Sequence, residues 1–242
     1  MKFGAPGAVL LVSIDGSADE SVRPLAALLE KHAIAAVWKL ARPAMAAESP
    51  WLLGARVRHE IALSLEDTWS GACVSRSGFS KELAWRLDSA KASGIDVTTA
   101  GSKAPIPSLR HETLARHGVS MLCDDISPAN KPVKMSLLRY GLWRAPVSIG
   151  LPRPQKMFGA GAASICQKVI DLSVKGKELA HLAIDAVAAS DARELAVIDR
   201  ALAHAAGLRH AGALSIATPR VYLEACKRPA THGVARSIMR AA

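Results

Sequence analysis

Short apolar runs alternate along the chain with longer segments whose apolar residues recur at helical spacing. Short apolar runs bounded by polar residues are typical of buried strands, and recurrence three and four positions apart is typical of helices packed on a sheet. The predicted strands are residues 8–14, 34–40, 60–65, 97–99, 119–123, 142–149, 179–184 and 213–217. The predicted helices are residues 18–32, 79–94, 108–117, 162–174, 191–207 and 219–227.

This alternation predicts parallel βαβ units, because parallel strands need a crossover connection that is usually a helix. Two architectures are consistent with this order of strands and helices: a doubly wound open sheet and a β/α barrel. Neither a Gly-x-Gly-x-x-Gly motif nor a Walker loop follows the first strand, which counts against a nucleotide-binding fold. We expect one domain over residues 1–224 and a basic, flexible tail over 225–242.

The composition indicates a globular chain with an aliphatic core. Half of the 242 residues are apolar, 4% are aromatic and 21% are charged, which excludes a disordered chain. The sequence contains no apolar run of transmembrane length. Gly4, Pro6 and Gly7 interrupt the first apolar segment, and no small-residue cleavage site follows it, so we expect no signal peptide and a cytoplasmic location. The four cysteines are widely spaced, which predicts buried free thiols rather than a disulfide framework or a zinc site.

The formal net charge of +10 is unevenly distributed. Residues 126–170 and the tail from residue 225 carry many lysines and arginines and no acidic residue. A basic loop beside a basic tail could attract an anionic partner such as a phosphate, an acidic glycan or a nucleic acid. The alternative is an ordinary basic surface, since no recognisable nucleic-acid-binding motif accompanies the charge.

Candidate chemistry lies at the carboxyl ends of the predicted strands, where parallel α/β folds place their active sites. Each candidate also has a structural interpretation, because polar residues at strand ends cap the next helix and a histidine within an apolar strand can be a core residue. The candidates are Asp15, Ser64, Glu66, Asp67, Thr68, Asp124, Asp125, Trp143, Arg144, His181 and Asp185.

Four segments resemble the polysaccharide deacetylase (NodB-homology) superfamily in order and spacing. They are Val-Ser-Ile-Asp-Gly at 12–16, the helix-to-strand turn at 28–38, Arg-His-Glu-Ile-Ala-Leu-Ser at 58–64, and the predicted helix at 79–94. The resemblance covers roughly residues 8 to 224. It implies a distorted (β/α)7-type barrel with parallel strands, and a hydrolase that cleaves the carbon–nitrogen bond of an N-acylated sugar.

The chain departs from this superfamily at the metal site. The superfamily binds a divalent metal with one Asp and two His, and a second Asp acts as base. Here a single aspartate, Asp15, replaces the pair, and the histidine positions fall on Ser64 and Thr68, which are poor zinc ligands. Glu66 and Asp67 could supply oxygen ligands at altered positions. We therefore expect no tightly bound metal, and a weakly bound divalent ion remains open.

These observations assign Asp15 and His181 as catalytic residues. They assign Trp143, Arg144 and Asp185 to substrate binding, around a carbohydrate or another small polar substrate. Three interpretations stay open: a metal-dependent hydrolase with a rebuilt carboxylate site, a metal-free hydrolase with Asp15 as base and His181 as acid, and a non-catalytic protein that binds carbohydrate or acts as a scaffold.

Overall fold

The structure is a computed structural model of the chain, and it describes residues 7–16, 18–124, 130–151, 159–187, 189 and 191–227. Among the described residues, no helix has both the length and the apolar character needed to cross a bilayer. Residues 228–242, which hold most of the predicted tail, lie outside this range, whereas residues 225–227 belong to the last helix.

The described residues contain ten strands, eight α-helices and four short 3₁₀ helices. The strands are β1 (Val9–Asp15), β2 (Val37–Leu40), β3 (Glu60–Ser64), β4 (Thr99–Gly101), β5 (Met121–Cys123), β6 (Ser136–Leu137), β7 (Trp143–Arg144), β8 (Ile149–Leu151), β9 (Leu179–Asp185) and β10 (Ser215–Ala217). The helices are α1 (Arg23–Lys31), α2 (Pro50–Leu53), α3 (Asp67–Ser70), α4 (Arg76–Ala92), α5 (His111–Arg116), α6 (Gly159–Gly176), α7 (Ala192–His210) and α8 (Pro219–Lys227). The 3₁₀ helices are Glu20–Val22, Pro43–Glu48, Ser108–Arg110 and Arg139–Gly141.

The strands form one mostly parallel sheet in the order β6-β7-β5-β4-β3-β2-β1-β9-β8, with β10 paired to β1. β6 is antiparallel to its neighbour β7, and the other pairs are parallel. The sheet curls, and the segment 143–151 joins its two ends, since β7 pairs with β5 and β8 pairs with β9. This architecture confirms the predicted distorted (β/α) barrel.

The predicted strand 142–149 is instead two short strands, β7 and β8. Between them, Ala145 N still donates to Leu122 O of β5 at 2.8 Å, and Ser148 N donates to His181 O of β9 at 2.8 Å. Pro146 lies at the crossover and has no amide hydrogen, so a continuous ladder of hydrogen bonds is interrupted there. The apolar pattern alone does not reveal that this strand changes neighbours.

Alternation along the strands separates two apolar clusters. Leu10, Val12 and Ile14 of β1 face the larger cluster between the sheet and the helices, whereas Val9 and Leu11 belong to a smaller one inside the barrel. The same alternation continues to the end of β1, so Ser13 and Asp15 follow Leu11 on the interior side. The barrel interior is therefore apolar near the start of β1 and polar near its end.

Local signals mark the ends of two helices, of which α4 begins three residues before its predicted start. The side chain of Asp191 accepts a hydrogen bond from Arg193 N and caps α7, and Ser75 accepts from Gly78 N at 3.0 Å and caps α4. Gly94 follows α4 with a φ of +76°, a left-handed conformation that glycine adopts without a steric penalty.

Candidate functional site

A cavity of about 860 Å³ opens at the carboxyl ends of the strands. Its volume lies within the usual range for small-molecule sites. Residues at or just after the ends of β1, β2, β3, β4 and β9 form its wall, as expected for a site of a parallel β/α fold. The polar side chains in this wall belong to Asp15, Arg42, Ser64, Glu66, Asp67, Ser102, Lys103 and Asp185.

Asp15, the last residue of β1, forms an ion pair with a buried lysine. Lys39 lies on β2 as the register partner of Asp15, and its Nζ is 2.8 Å from Asp15 Oδ1. The Lys39 side chain is 1% exposed and that of Asp15 is 14% exposed. The lysine charge is thus enclosed by protein, while the carboxylate lies at the cavity wall.

The path of the Lys39 side chain depends on a glycine of β4. A Cβ atom added to Gly101 would lie 2.2 Å from Lys39 Cδ and 3.1 Å from the carbonyl oxygen of Cys123. The aliphatic stem of Lys39 therefore passes directly over the Gly101 backbone, through space that any other residue would fill.

A second aspartate–lysine pair lies beside the first. Asp185, the last residue of β9, is the register partner of Asp15, and Lys103 Nζ lies 2.8 Å from Asp185 Oδ2. Adjacent strands are about 4.8 Å apart, so the two aspartates are close neighbours on the cavity wall. The hydrogen bond to Asp185 is the main cause that raises the pKa of Lys103, which keeps its ammonium group charged at neutral pH. The structure thus brings together Asp15 and Asp185, two of the five site residues predicted from the sequence.

His181 lies one layer deeper in the barrel and is fully buried. Its Nδ1 is 3.2 Å from the carbonyl oxygens of both Ala145 and Pro146, which can only accept, so Nδ1 carries the proton and donates to them. Its Nε2 then accepts from the hydroxyl of Ser13 at 3.0 Å. Burial, and then the nearby charge of Lys39, lower the pKa of His181 to about 4.

His181 is therefore a neutral imidazole with a fixed tautomer at neutral pH. It is not among the residues that line the cavity. Its contact with Ser13, two residues before Asp15 on the same face of β1, favours a positioning role. The acid role assigned to it from the sequence stays a prediction.

Trp143 and Arg144, predicted to bind substrate, lie away from this cavity in the structure. Trp143 packs against the smaller apolar cluster inside the barrel. Arg144 binds the buried carboxylate of Asp124 through two hydrogen bonds, Nε to Oδ1 at 2.8 Å and Nη2 to Oδ2 at 3.1 Å. The Asp124 side chain is 1% exposed, so this bidentate pair stabilises a buried charge. The substrate-binding role of Trp143 and Arg144 stays a prediction.

The residues around Asp15 do not fit the three-ligand metal site that the resemblance implies. Among the described residues, no group of three His, Cys, Asp or Glu side chains is arranged to hold a metal ion. Ser64 lines the cavity, but Thr68 is exposed on α3 and is not part of the cavity wall. The ammonium of Lys39 also occupies one side of the Asp15 carboxylate, where a cation would bind.

Sequence reasoning missed Lys39 and Lys103. A signal for Lys39 existed, because it is the lone charged residue of the apolar segment Val37-Trp38-Lys39-Leu40 and lysine is almost never fully buried without a partner. Its partner is 24 positions earlier in the sequence, so the spacing alone does not identify it. Lys103 lies in a loop and gives no comparable signal.

The described part of the basic segment 126–170 is partly neutralised within the chain. Lys134 Nζ lies 3.8 Å from Glu178 Oε1, and Arg144 pairs with Asp124. Arg153 and Lys156 lie outside the described residues. An anionic partner for this segment stays a prediction. All four cysteines are free thiols. Cys123, Cys166 and Cys226 are buried, as predicted, whereas Cys73 is exposed and the prediction is wrong for it.

No protein-family model and no curated protein sequence matches the chain. Solved structures do match it over most of its length. A putative polysaccharide deacetylase from Mycobacterium smegmatis superposes with a TM-score of 0.70 at 12% identity, covering 93% of this chain and 92% of the other. The PuuE allantoinase gives a TM-score of 0.69 at 11% identity, covering 92% and 91%.

Carbohydrate esterases of family 4 also share the fold, with lower scores. The enzyme from Streptomyces lividans, solved in complex with acetate, gives a TM-score of 0.53 at 14% identity, covering 88% of this chain and 93% of the other. The chain therefore shares its fold with these deacetylases and esterases, which confirms the fold that the resemblance in the sequence implies. Identities this low establish the fold and leave the activity to be argued from the site.

Proposed function

We propose that the protein hydrolyses the carbon–nitrogen bond of an N-acylated sugar in the cavity beside Asp15, without a tightly bound metal. The observation that carries this proposal is a carboxylate at the cavity wall, held on one side by a buried ammonium group at 2.8 Å. The names of the structural neighbours, which include deacetylases and an allantoinase, support the choice of reaction class.

Asp15 is the general base in this mechanism. Its carboxylate takes a proton from a water molecule, and the water oxygen forms a bond to the carbonyl carbon of the amide. Lys39 holds Oδ1, so the second oxygen of the carboxylate is the one that receives the proton. When the carbon–nitrogen bond breaks, this proton passes from Asp15 to the leaving nitrogen. The products are a carboxylic acid and an amine.

Lys103 supplies positive charge for the carbonyl oxygen. The oxygen becomes an anion when water adds, and a fixed ammonium group stabilises it. Lys103 lines the same cavity as Asp15, and its raised pKa keeps it protonated. Asp185, predicted from the sequence to bind substrate, orients this ammonium through their hydrogen bond.

The second candidate function is carbohydrate binding without catalysis. It is favoured by the fact that both strand-end aspartates already form ion pairs with lysines, which is also how a stable binding cleft would be built. Both candidate functions use the same cavity and the same carbohydrates, so only a measurement of turnover distinguishes hydrolysis from binding.

The test is a screen for released acid and amine with chelator-treated protein. The substrates are N-acetylglucosamine oligomers, N-acetylated peptidoglycan fragments and, because of the structural neighbour named above, allantoin. The matched variants are Asp15→Asn at the site and Asp88→Asn, an exposed aspartate of α4. We expect turnover that Asp15→Asn lowers about a hundredfold to ten-thousandfold and Asp88→Asn leaves unchanged. Binding without turnover would favour the second candidate.

A further inference from the structure

We infer that Lys39 is a built-in cation of this site: its ammonium takes the place beside Asp15 that a divalent metal would need, and so excludes the metal. This inference concerns the same cavity as the proposed function but does not depend on any measured activity. Ser64 and Thr68 are poor metal ligands, and the inference adds that the Lys39 ammonium occupies the position beside Asp15 where the metal would bind.

The first support is the enclosure of the charge. A lysine that is 1% exposed is stable only with a close anionic partner, and among the ion pairs of the described residues Asp15 is that partner. A metal that bound Asp15 would have to displace the ammonium, which would leave a buried positive charge without its partner beside a second positive charge. Both consequences are costly at short distance inside a protein.

The second support is the space made for the side chain. The stem of Lys39 crosses β4 at Gly101, where a Cβ would overlap Cδ at 2.2 Å. Two positions far apart in the sequence are therefore matched, one supplying the cation and the other the passage to Asp15. A lysine on an exposed surface would need no glycine on a neighbouring strand to make room for its side chain.

The third support is how far the charge acts within the barrel. Lys39 contributes to the lowered pKa of His181, and it opposes the rise in pKa that burial causes for Cys123. The ammonium thus acts on groups inside the barrel as well as on Asp15. Burial is the larger cause of the lowered pKa of His181 and the Lys39 charge adds to it, so the imidazole stays in the neutral state that accepts the hydrogen bond from Ser13.

The experiment is an Mn²⁺ titration followed by electron paramagnetic resonance on the full chain. We compare the natural protein, Lys39→Met, and the matched control Lys103→Met, which removes the other lysine of the two ion pairs. We expect no stoichiometric Mn²⁺ site in the natural protein and an affinity increase of about tenfold or more in Lys39→Met. The increase should be absent in Lys103→Met and should be lost again when Asp15→Asn is added to Lys39→Met.

A second measurement covers the case in which Lys39→Met does not fold. In the natural protein, the Lys39 ammonium should give a slowly exchanging ¹H–¹⁵N signal, because it is enclosed and hydrogen-bonded. A stoichiometric metal at Asp15, no gain of affinity in folded Lys39→Met, or a rapidly exchanging Lys39 ammonium would each overturn the inference. An inactive protein that passes these tests would contradict the proposed function and leave the inference standing.

Discussion

Lys39 and Asp15 are register partners on adjacent parallel strands, and their side chains meet at 2.8 Å at the carboxyl end of the barrel. Asp185 is the register partner of Asp15 on its other side and pairs with Lys103. The four side chains thus form a row of a cation, two carboxylates and a second cation. Asp15, Asp185 and Lys103 of this row line the cavity, and Lys39 is buried.

Replacing Gly101 with alanine should destabilise the protein, because the new methyl group would overlap the stem of Lys39. We expect the free energy of unfolding to fall by about 1–3 kcal/mol, as for other overpacked interiors. Urea denaturation measures this change. The matched control is Gly207→Ala within α7, where an added Cβ meets no other atom within 4 Å and should be neutral or stabilising. Equal stability of the two variants would show that Lys39 does not follow this path.

Replacing Arg144 with methionine should destabilise the fold and leave the chemistry of each folded molecule unchanged. The variant leaves the buried Asp124 carboxylate without its bidentate partner, which costs about 3–5 kcal/mol for a buried pair. Thermal and urea unfolding measure the loss, and Arg139→Met, an exposed arginine of the same basic segment, is the control. A large loss of substrate affinity with little change in stability would instead support the substrate-binding role predicted from the sequence.

His181 should make the stability of the protein depend on pH between about 6.5 and 4. Its pKa is lowered from 6.5 in the unfolded chain to about 4 in the fold, so the unfolded state takes up a proton first as the pH falls. The contribution of His181 is complete above pH 6.5 and is lost as the pH falls toward 4. A shift of this size corresponds to about 3 kcal/mol.

The check is the free energy of unfolding of the natural protein and of His181→Gln across this pH range. The difference between them should shrink on acidification, since the variant lacks the titrating group. The exposed His210→Gln serves as the control and should track the natural protein. A constant difference from pH 7 to pH 4 would mean that the imidazole is not held neutral.

Much of the fold follows from patterns within short stretches of sequence. The apolar run before Asp15 and the run from Leu179 to Asp185 predict two interior strands, and Asp191 predicts the start of α7. Those signals work because strand burial and helix capping depend on neighbouring residues. The change of partner between β7 and β8 was missed because it depends on which strands lie at the two ends of the curled sheet.

The same limit applies to the residues of the cavity wall. Asp15 and Asp185 stand at strand ends, where a polar residue after an apolar run is visible in the sequence. Lys39 and Gly101 become meaningful only when β2 and β4 bring them together. Arg144 and Trp143 also lie on a strand. Arg144 pairs with the buried Asp124, and Trp143 packs against the smaller apolar cluster. The residue types alone predict neither contact.

A metal-free site built on Asp15 and Lys39 can be checked by measuring metal content and activity on one preparation. The protein is treated with a chelator, its zinc and manganese are quantified, and hydrolysis of an N-acetylated oligosaccharide is followed before and after divalent metal is added back. We expect hydrolysis at far less than stoichiometric metal, with no gain when metal is restored. Activity that disappears on chelation and returns with stoichiometric zinc or manganese would show that the site needs a metal.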